Sequence, residues 1–444
     1  MDLRSAVERD SPLPLLTPDS LMRTLLTQWR ARPRAERGLL AVAGVVVGVH
    51  ATAIAIRRLT QAGDFDVSRE FGRRFLVGEP LYAGGLHYPY MPAAGMLFAP
   101  LALVPAWLGF AVRYAFALAC LSLTLRLLAA MVMPTGENAR AQRAVVAGVS
   151  LLLTAHYVVR DLDDSGPHLI LLAILISGLH SAWRGRMPLA ALCFGLAAAV
   201  KAPAALLLAL PVWKRQWRLA AYAVAAATAW ICLPALWMGR ATWWMDQTLW
   251  ARTALASATG HSSGGAKESE DRIQNQALRA VIVRVLQPES FDGSALDDQQ
   301  LFERDSPFPG RVATAAILAL VAIVAWRSRK PYTDRHDPNW LLDGSVLLTL
   351  SLLLSPVTWT QHLVLLLPGL YLIVARSRMV GRTHGVTRAA LGLYVLLALV
   401  LNREVLGRER YLTLLAYGEH TIAVLVILAV LLAYPPADPM KRLG

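Results

Sequence analysis

The chain has 444 residues, of which 56% are hydrophobic and 17% are charged, whereas soluble domains carry about 25% charged residues. Apolar stretches recur from Gly38 to Tyr434, and many are too long and too uncharged to be core helices. Backbone polar groups must be satisfied inside lipid, and such continuous runs achieve this only as helices. The composition therefore excludes a soluble globular protein and predicts an all-α integral membrane protein.

The formal net charge of +14 accompanies arginines that stand between the apolar stretches, where membrane proteins place positive residues on the cytoplasmic side. Anionic lipid headgroups account for this balance, so we expect membrane lipids and no nucleic acid as partners. The three cysteines fall in apolar stretches without paired spacing. Neither a disulfide nor a metal site is therefore predicted.

In chain order, the apolar runs predict about twelve spanning or half-spanning segments. Their predicted bounds are 38–56, 93–131 (with a break at Pro105), 144–158, 167–183, 188–200, 202–213, 217–237, 311–326, 341–355, 362–375, 389–402 and 412–434. We expect a single polytopic domain over 38–434, preceded by a basic segment (1–37) and followed by a short tail (435–444).

The arginine-rich start predicts a cytoplasmic N-terminus, and basic clusters then recur in every second connection. The other connections carry most of the acids. This alternation predicts a multi-pass protein of the cell membrane with both termini in the cytoplasm. It places a first loop at 57–92 and a long loop at 238–310 on the extracytoplasmic side, where we expect the active site.

The first outer loop combines carboxylates, aromatic rings and prolines. It reads Gly63-Asp64-Phe65-Asp66-Val67, then Gly78-Glu79-Pro80-Leu81-Tyr82, then Tyr88-Pro89-Tyr90-Met91-Pro92. A carboxylate at Asp64 or Asp66 can deprotonate an attacking hydroxyl, and the tyrosines Tyr82, Tyr88 and Tyr90 can stack on sugar faces. The alternatives are that the tyrosines form an aromatic belt and that the acids pair with arginines of the same loop, namely Arg69, Arg73 and Arg74.

Two short apolar segments meet at Lys201-Ala202-Pro203. Each is too short to cross about 30 Å comfortably as a helix. A turn partway through the membrane would place Lys201 in a cavity, and a buried lysine in a membrane bundle usually marks a site. The alternative is a lysine whose side chain reaches the outer interface.

Three further groups of polar residues fall at outer helix ends. They are Asp161-Leu162-Asp163-Asp164, Asn275-Gln276 with Arg279 and Arg284, and Trp359-Thr360-Gln361-His362. Cationic and amide groups can hold a phosphate leaving group and stabilise its developing charge. The alternatives are a solvated turn for the acids, a headgroup contact for Arg284 and an interfacial position for His362.

The order of short motifs from about residue 38 to 376 resembles glycosyltransferase family 87, whose members are polyprenyl-phosphate-dependent enzymes of the GT-C fold. The first loop is similar to the family pattern Asp-Phe/Leu-x-Val-Tyr, Gly-x-x-Leu-Tyr, Tyr-x-Pro and Pro-Leu-x-x-x-Pro. Later elements similar to the family are Lys201-Ala202-Pro203, Asn275-Gln276-Ala277-Leu278 with Arg284, and Ser355-Pro356-Val357-Thr358-Trp359-Thr360-Gln361-His362.

The resemblance implies a membrane hexosyltransferase that moves one sugar, most often mannose, from a polyprenyl-phosphate donor to a hydroxyl of a glycan, glycolipid or other acceptor. By the same resemblance, transfer inverts the anomeric centre and needs no cofactor or obligatory metal. Asp64 is the expected general base, and Lys201, Arg284 and His362 are expected to hold the donor phosphate. The other expected substrate contacts are Asp66, Tyr82, Tyr88, Tyr90, Asn275, Gln276, Trp359 and Gln361.

The chain departs from the family pattern at four places. Ser68 replaces a tyrosine, Gln361 replaces the first histidine of a pair, Ala277 replaces a serine, and Gly166-Pro167-His168 stands where Gly-Gln-x-Asn is usual. These departures predict an acceptor or a donor sugar that differs from that of the mycobacterial members of the family.

A transporter or a flippase for a lipid-linked sugar is the competing interpretation, because such proteins also have about twelve helices and broken segments. The polar residues gather at one face rather than at the midplane, and the two halves show no repeat, which favours the enzyme. A lateral outer cavity containing Asp64 would support transfer, whereas a central site reachable from both sides would support transport.

Overall fold

The structure, a computed structural model, describes residues 45, 47–56, 63–85, 90–133, 137–259, 273–286, 306–332, 337, 339–380 and 385–434. Within these residues the regular elements are all helices, which confirms the predicted all-α class. The N-terminal segment 1–37, the tail 435–444 and Tyr88 lie outside the described residues.

The helices are numbered α1 to α19 in chain order. They are α1 Val47–Ile56, and α2 Asp64–Val77, α3 Ala94–Ala102, α4 Ala106–Val132, α5 Glu137–Asp163, α6 His168–Trp183, α7 Met187–Val200, α8 Ala209–Trp213, α9 Trp217–Cys232, α10 Ala235–Met238, α11 Arg240–Thr259, α12 Leu278–Leu286, α13 Phe308–Arg327, α14 Asn339–Leu354, α15 Leu367–Val380, α16 Gly385–Val395, α17 Arg403–Leu406, α18 Arg408–Ala416 and α19 Glu419–Ala433. Short 3₁₀ helices occupy Ala83–Gly85, Ala202–Leu208 and Thr360–Leu366, and a π-helical turn occupies Leu396–Val400. Helix α1 belongs to one unit, Met1–Gln61, and the others belong to a second, Ala62–Gly444.

Five described helical stretches are long and apolar enough to cross a membrane. They are Ala106–Val132, Arg140–Asp163, Trp217–Met238, Phe308–Arg327 and Thr360–Met379. A sixth span results if α18 and α19, which are bent by 53° at their junction, are counted together. The other predicted segments among the described residues are apolar helices of 10–17 residues, so the predicted count of about twelve is not reproduced as full spans.

Several predicted bounds agree closely with the described helices. The break at Pro105 is present, because α3 ends at Ala102 and α4 begins at Ala106. The predicted segment 202–213 begins as a 3₁₀ helix and continues as α8. Proline within the first turn lacks an N–H and fixes the backbone, which accounts for a new start immediately after Lys201.

The long loop 238–310 contains a helix that the apolar pattern did not predict. Helix α11 has 20 residues, but its tryptophans alternate with arginine, aspartate and threonine, so it lacks the continuous apolar run of a span. The helical periodicity predicted after Asp271 is also interrupted, because the chain is not helical at Asn275–Ala277 before α12 begins.

Close helix packing in the core depends on small residues. Helix α7 packs between α6 and α9. A Cβ atom at Gly195 of α7 would lie 2.6 Å from the backbone nitrogen of Ala227 in α9, which is too close for any side chain. Small residues at such crossings let two backbones approach in the way that is typical of membrane helices.

Helix α2 is fixed to the bundle by its aromatic face and by Arg69. Phe65 packs edge-to-face on Phe110 of α4, with ring centroids 5.7 Å apart. Arg69 donates hydrogen bonds to the carbonyl oxygens of Leu101 (3.2 Å) and Val104 (3.1 Å) at the end of α3. These bonds satisfy carbonyls that a helix end leaves without partners. The anchoring sets the position of Asp64 at the first turn of α2.

Candidate active site

Lys201 lies where α7 ends in an extended residue. Its side chain is only 6% exposed, so the alternative of a lysine that reaches the interface is wrong. The Nζ atom lies 2.7 Å from Nε2 of His168 and 3.1 Å from Nε2 of His362. It also lies 5.3 Å from the centre of the Tyr90 ring, within the distance of a cation–π contact. Basic nitrogens and an aromatic ring therefore surround this amine.

His168 is oriented by a buried carboxylate at the end of α5. Oδ1 of Asp161 lies 2.8 Å from Nδ1 of His168, and the backbone N–H of Leu169 donates to Oδ2 at 3.1 Å. Asp161 is fully buried, so the predicted alternative of a solvated turn is wrong for this residue. When Asp161 is ionised it can only accept a hydrogen bond, so Nδ1 of His168 then carries the proton and Nε2 faces Lys201.

His362 is held by the chain that follows α14. The backbone N–H of Trp359 donates to Nδ1 of His362 at 3.3 Å. Asn275 fixes that chain from the other side, because its Oδ1 accepts from the N–H of Thr358 at 3.0 Å and its Nδ2 donates to the carbonyl of Pro356 at 3.0 Å. Asn275 thus binds the chain immediately before Trp359, and His362 is buried rather than interfacial.

A cleft with a cavity volume of about 20 Å³ lies beside these three basic residues. Its wall combines the basic groups with hydroxyls and apolar side chains. The lining residues are His168, Leu171, Leu175, Lys201, Pro203, Ala204, Leu348, Ser351, Leu352, Ser355, Thr358, His362 and Leu365. A small anionic group attached to an apolar chain matches this lining in chemical character.

Asp64 is exposed on the first turn of α2 and does not line the cleft. Asp66 has a different position, because its Oδ2 accepts the N–H of Gly63 at 2.9 Å and so caps the helix. The arginines expected to pair with these acids bind elsewhere. Arg73 and Arg74 form ion pairs with Glu70 at 2.8 Å, whose pKa these hydrogen bonds lower to about 2.

Asp164 is a partly buried carboxylate immediately after α5. Burial, together with the negative charges of Asp64, Asp163 and Asp161, raises the pKa of Asp164 to about 6 against the opposing effect of Arg160. Arg160 forms an ion pair with Asp164 at 2.9 Å. The negative charges of both Asp64 and Asp161 therefore act on Asp164.

The first-loop tyrosines that the structure describes are buried, so the aromatic-belt alternative is wrong for them. The Tyr82 hydroxyl donates to the carbonyl of Tyr90 at 2.6 Å, and the Tyr90 hydroxyl lies 3.2 Å from Nε2 of His168. The N–H of Met91 donates to the carbonyl of Val200 at 3.2 Å. The first loop is therefore joined directly to the end of α7 and to the basic residues.

Arg284 and Gln276 are both buried. Arg284 is 7% exposed, which excludes the headgroup alternative, and it donates to the carbonyls of Ala416 (2.8 Å), Asn275 (3.1 Å) and Leu415 (3.1 Å). Gln276 donates from Nε2 to the Leu415 carbonyl at 2.8 Å. These contacts connect α12 to α18. Among the other expected contacts, Gln361 is buried and Trp359 is half-buried.

The sequence reasoning missed His168, Arg113 and Asp246. His168 was noted only as a departure from the family motif, although it begins α6, the helix that follows the acidic residues at the end of α5. Arg113 is buried within α4 and donates to the carbonyl of Gly166. Asp246 of α11 accepts the N–H of Leu81 at 3.0 Å, and burial raises its pKa. A charged residue inside an apolar segment was the available signal for Arg113.

Phosphate is the ligand class that suits this donor set. Lys201 and His362 can supply N–H donors, and an ammonium at Lys201 supplies positive charge, and such groups bind phosphate oxygens. Among the residues that the structure describes, no group of three or more His, Cys, Asp or Glu side chains is arranged to hold a metal ion. The absence of a metal requirement stays a prediction.

Comparison with known proteins points to one family. A curated relative from Mycobacterium tuberculosis, a polyprenol-phosphate-mannose-dependent alpha-(1-2)-phosphatidylinositol pentamannoside mannosyltransferase, is 26% identical over 303 residues. That match covers 68% of this chain and 62% of the relative, so the chain matches less than two thirds of the relative's length. No solved structure matches the chain.

The model of glycosyltransferase family 87 matches residues 88–356. The matched segment contains His168, Lys201 and Arg284, whereas Asp64 precedes it and His362 follows it. The segment is more than half of the chain, and the chain belongs to glycosyltransferase family 87.

Proposed function

We propose that this protein is a membrane glycosyltransferase that moves a single sugar, with mannose as the first candidate, from a polyprenyl-phosphate donor to a hydroxyl acceptor. The observation that carries the proposal is the cleft in which Lys201, His168 and His362 converge beside apolar side chains. The family supports the reaction class. The name of the mycobacterial relative includes the donor class and a phosphatidylinositol-mannoside acceptor. We therefore expect a glycolipid or glycan acceptor here.

In this proposal the donor phosphate lies against Lys201 and His362, and the polyprenyl chain follows the apolar wall. Departure of the phosphate leaves a second negative charge on its oxygens, and preorganised N–H groups in a site of low dielectric stabilise such charge effectively. Serine and threonine hydroxyls at Ser351, Ser355 and Thr358 supply further hydrogen bonds at the same wall.

We further propose that Asp64 removes the proton from the acceptor hydroxyl as the new bond forms to the sugar. A base on the face opposite the leaving group gives inversion at the anomeric carbon. The exposed position of Asp64 supports access by a substrate from water. The cap that Asp66 forms with the N–H of Gly63 supports a structural role for that neighbour.

Arg284, Asn275 and Gln276 are proposed to frame the cleft rather than to touch the donor, because their described hydrogen bonds reach backbone carbonyls and N–H groups. Tyr82 and Tyr90 join the first loop to His168 and set the acceptor entrance. We propose that this site opens on the extracytoplasmic side of the cell membrane, with both termini in the cytoplasm, in accordance with the alternation of charged loops.

The test is sugar transfer from radiolabelled polyprenyl-phosphate mannose in membranes that contain the wild type, Asp64→Asn or Asp66→Asn at equal expression. We expect Asp64→Asn to lose at least about a hundredfold in rate, since general-base catalysis contributes 10² to 10⁴. Asp66→Asn is the matched control, because its amide oxygen still accepts the N–H of Gly63 and activity should stay within about threefold.

Loss in Asp66→Asn alone would move the base to Asp66. Absence of wild-type transfer from the mannose, glucose and arabinose donors would contradict the enzyme, and movement of the donor across vesicles by the same preparation would establish the transporter alternative.

A further inference from the structure

The partners of Lys201 are unusual for a buried cation. A protonated lysine inside a protein normally contacts carboxylate or carbonyl oxygens, because an isolated buried charge is costly. Here the two side-chain nitrogens within hydrogen-bond distance of Nζ belong to His168 and His362, and neither carries a negative charge. The third neighbour is the neutral ring of Tyr90 at 5.3 Å.

The acidic charge near Lys201 comes from α5 and is already engaged. Asp161 accepts from the ring of His168 at 2.8 Å and from the N–H of Leu169 at 3.1 Å. Arg113 of α4 binds the carbonyl of Gly166 next to this carboxylate and supplies a positive charge that offsets it. The wall from α14 contributes hydroxyls and leucines and no charged group to the cleft.

The net charge of this group of residues depends on the protonation state of Lys201. With Asp161 ionised, Arg113 charged and both histidines neutral, the group has no net charge when Lys201 is an amine and a charge of +1 when it is an ammonium. The empty cleft therefore favours the neutral amine at Lys201. An anion in the cleft favours the ammonium instead, since the anion supplies the counter-charge that the ammonium lacks.

On the basis of the proposed function, we propose that the cleft takes up one proton at Lys201 when the donor's phosphate binds. In the empty cleft, the Lys201 amine donates a hydrogen bond to the Nε2 lone pair of His168, which Asp161 keeps in the correct tautomer. When the phosphodiester anion enters, a proton from solvent converts the amine to an ammonium, which then contacts a phosphate oxygen. His168 and Asp161 are positioning residues in this account, because they act through Lys201.

Proton uptake changes how binding responds to pH. A site that takes up one proton when it binds its ligand has a pH-dependent affinity. Above the pH at which the free site loses that proton, linkage requires the affinity for the ligand to fall about tenfold for each pH unit. Lys201→Arg provides the matched variant, because a guanidinium stays charged throughout this range. Its donor affinity should be independent of pH and its binding should take up no proton.

The experiment is isothermal titration calorimetry of polyprenyl-phosphate mannose, without acceptor, into the full-length protein in lipid nanodiscs. This diester carries one fixed charge near neutral pH, so protons exchanged on binding belong to the protein. Titrations in buffers of different ionisation enthalpy give the number of protons. We expect uptake approaching one proton at alkaline pH for the wild type and none for Lys201→Arg.

Saturable wild-type binding with no proton uptake and a flat pH dependence would overturn this inference and leave the proposed function intact. Absence of saturable binding by the wild type would instead contradict the proposed function. A second variant, His168→Gln, tests the positioning role. It should shift the pH dependence of donor affinity, whereas a purely structural effect would lower affinity equally at every pH.

Discussion

Two buried lysines lie at opposite ends of the segment 202–213, and their surroundings differ completely. Lys214 donates to the carbonyls of Ser328 (2.7 Å) and Lys330 (3.1 Å), pairs with Asp343 at 2.8 Å and lies 4.9 Å from the centre of the Tyr332 ring. Each donor of that ammonium has an oxygen partner. Lys201 instead faces two imidazole nitrogens and a cleft.

The difference separates a structural lysine from a functional one. Lys214 joins the end of α8 to the chain after α13 and to α14, and its charge is fully compensated within the protein. In our proposal, the charge of Lys201 is compensated when the donor phosphate enters the cleft. Burial alone, which is nearly the same for the two residues (3% and 6% exposed), would not distinguish them.

The largest effect on stability is expected at the structural lysine. Lys214→Met removes a buried ion-pair partner and leaves Asp343 with an uncompensated charge, which costs about 3 to 5 kcal/mol. Thermal unfolding of the purified protein should show this loss. The double variant Lys214→Met, Asp343→Asn should recover part of it, because the neutral amide leaves no buried charge. An unchanged melting temperature in Lys214→Met would remove the contrast between the two lysines.

A second variant tests whether Arg284 resembles Lys214 or Lys201. Its guanidinium donates to three backbone carbonyls, so Arg284→Gln should lower the free energy of unfolding by about 2 to 3 kcal/mol through lost charge-assisted bonds. We expect the KM for the donor to change less than about threefold at temperatures where the variant is folded. The matched control is Arg279→Gln, whose longer bonds to Gly310 and Thr314 predict a smaller loss. A tenfold rise in KM at unchanged stability would identify Arg284 as a phosphate ligand.

Much of the fold could be predicted because apolar runs and prolines act locally. Pro105 and Pro203 ended helices where expected. Helix α11 was missed because its apolar and charged residues are mixed, so it has no run from which a helix could be recognised. The non-helical residues Asn275–Ala277 interrupt an amphipathic pattern for a tertiary reason, since they bind the chain at Pro356–Thr358.

The site was predictable as a set of motifs but not as a geometry. Asn275-Gln276 and the element Ser355–His362 were both singled out, and the hydrogen bonds of Asn275 and Gln276 to Pro356 and Thr358 depend on a fold that no local pattern specifies. His168 shows the limit most clearly. His168 differs from the residue usual in the motif, so the sequence alone does not indicate its role. That role follows from its contacts with Asp161 through Nδ1 and with Lys201 through Nε2.

The central claim is that Lys201 holds the donor phosphate, and the most direct measurement is mannose transfer from radiolabelled polyprenyl-phosphate mannose by wild type and Lys201→Met at equal amounts of folded protein. We predict a loss of about a hundredfold or more, the usual cost of removing one donor from a site that stabilises developing negative charge, with a melting temperature close to that of the wild type. Transfer by Lys201→Met within about threefold of the wild-type rate would contradict the account.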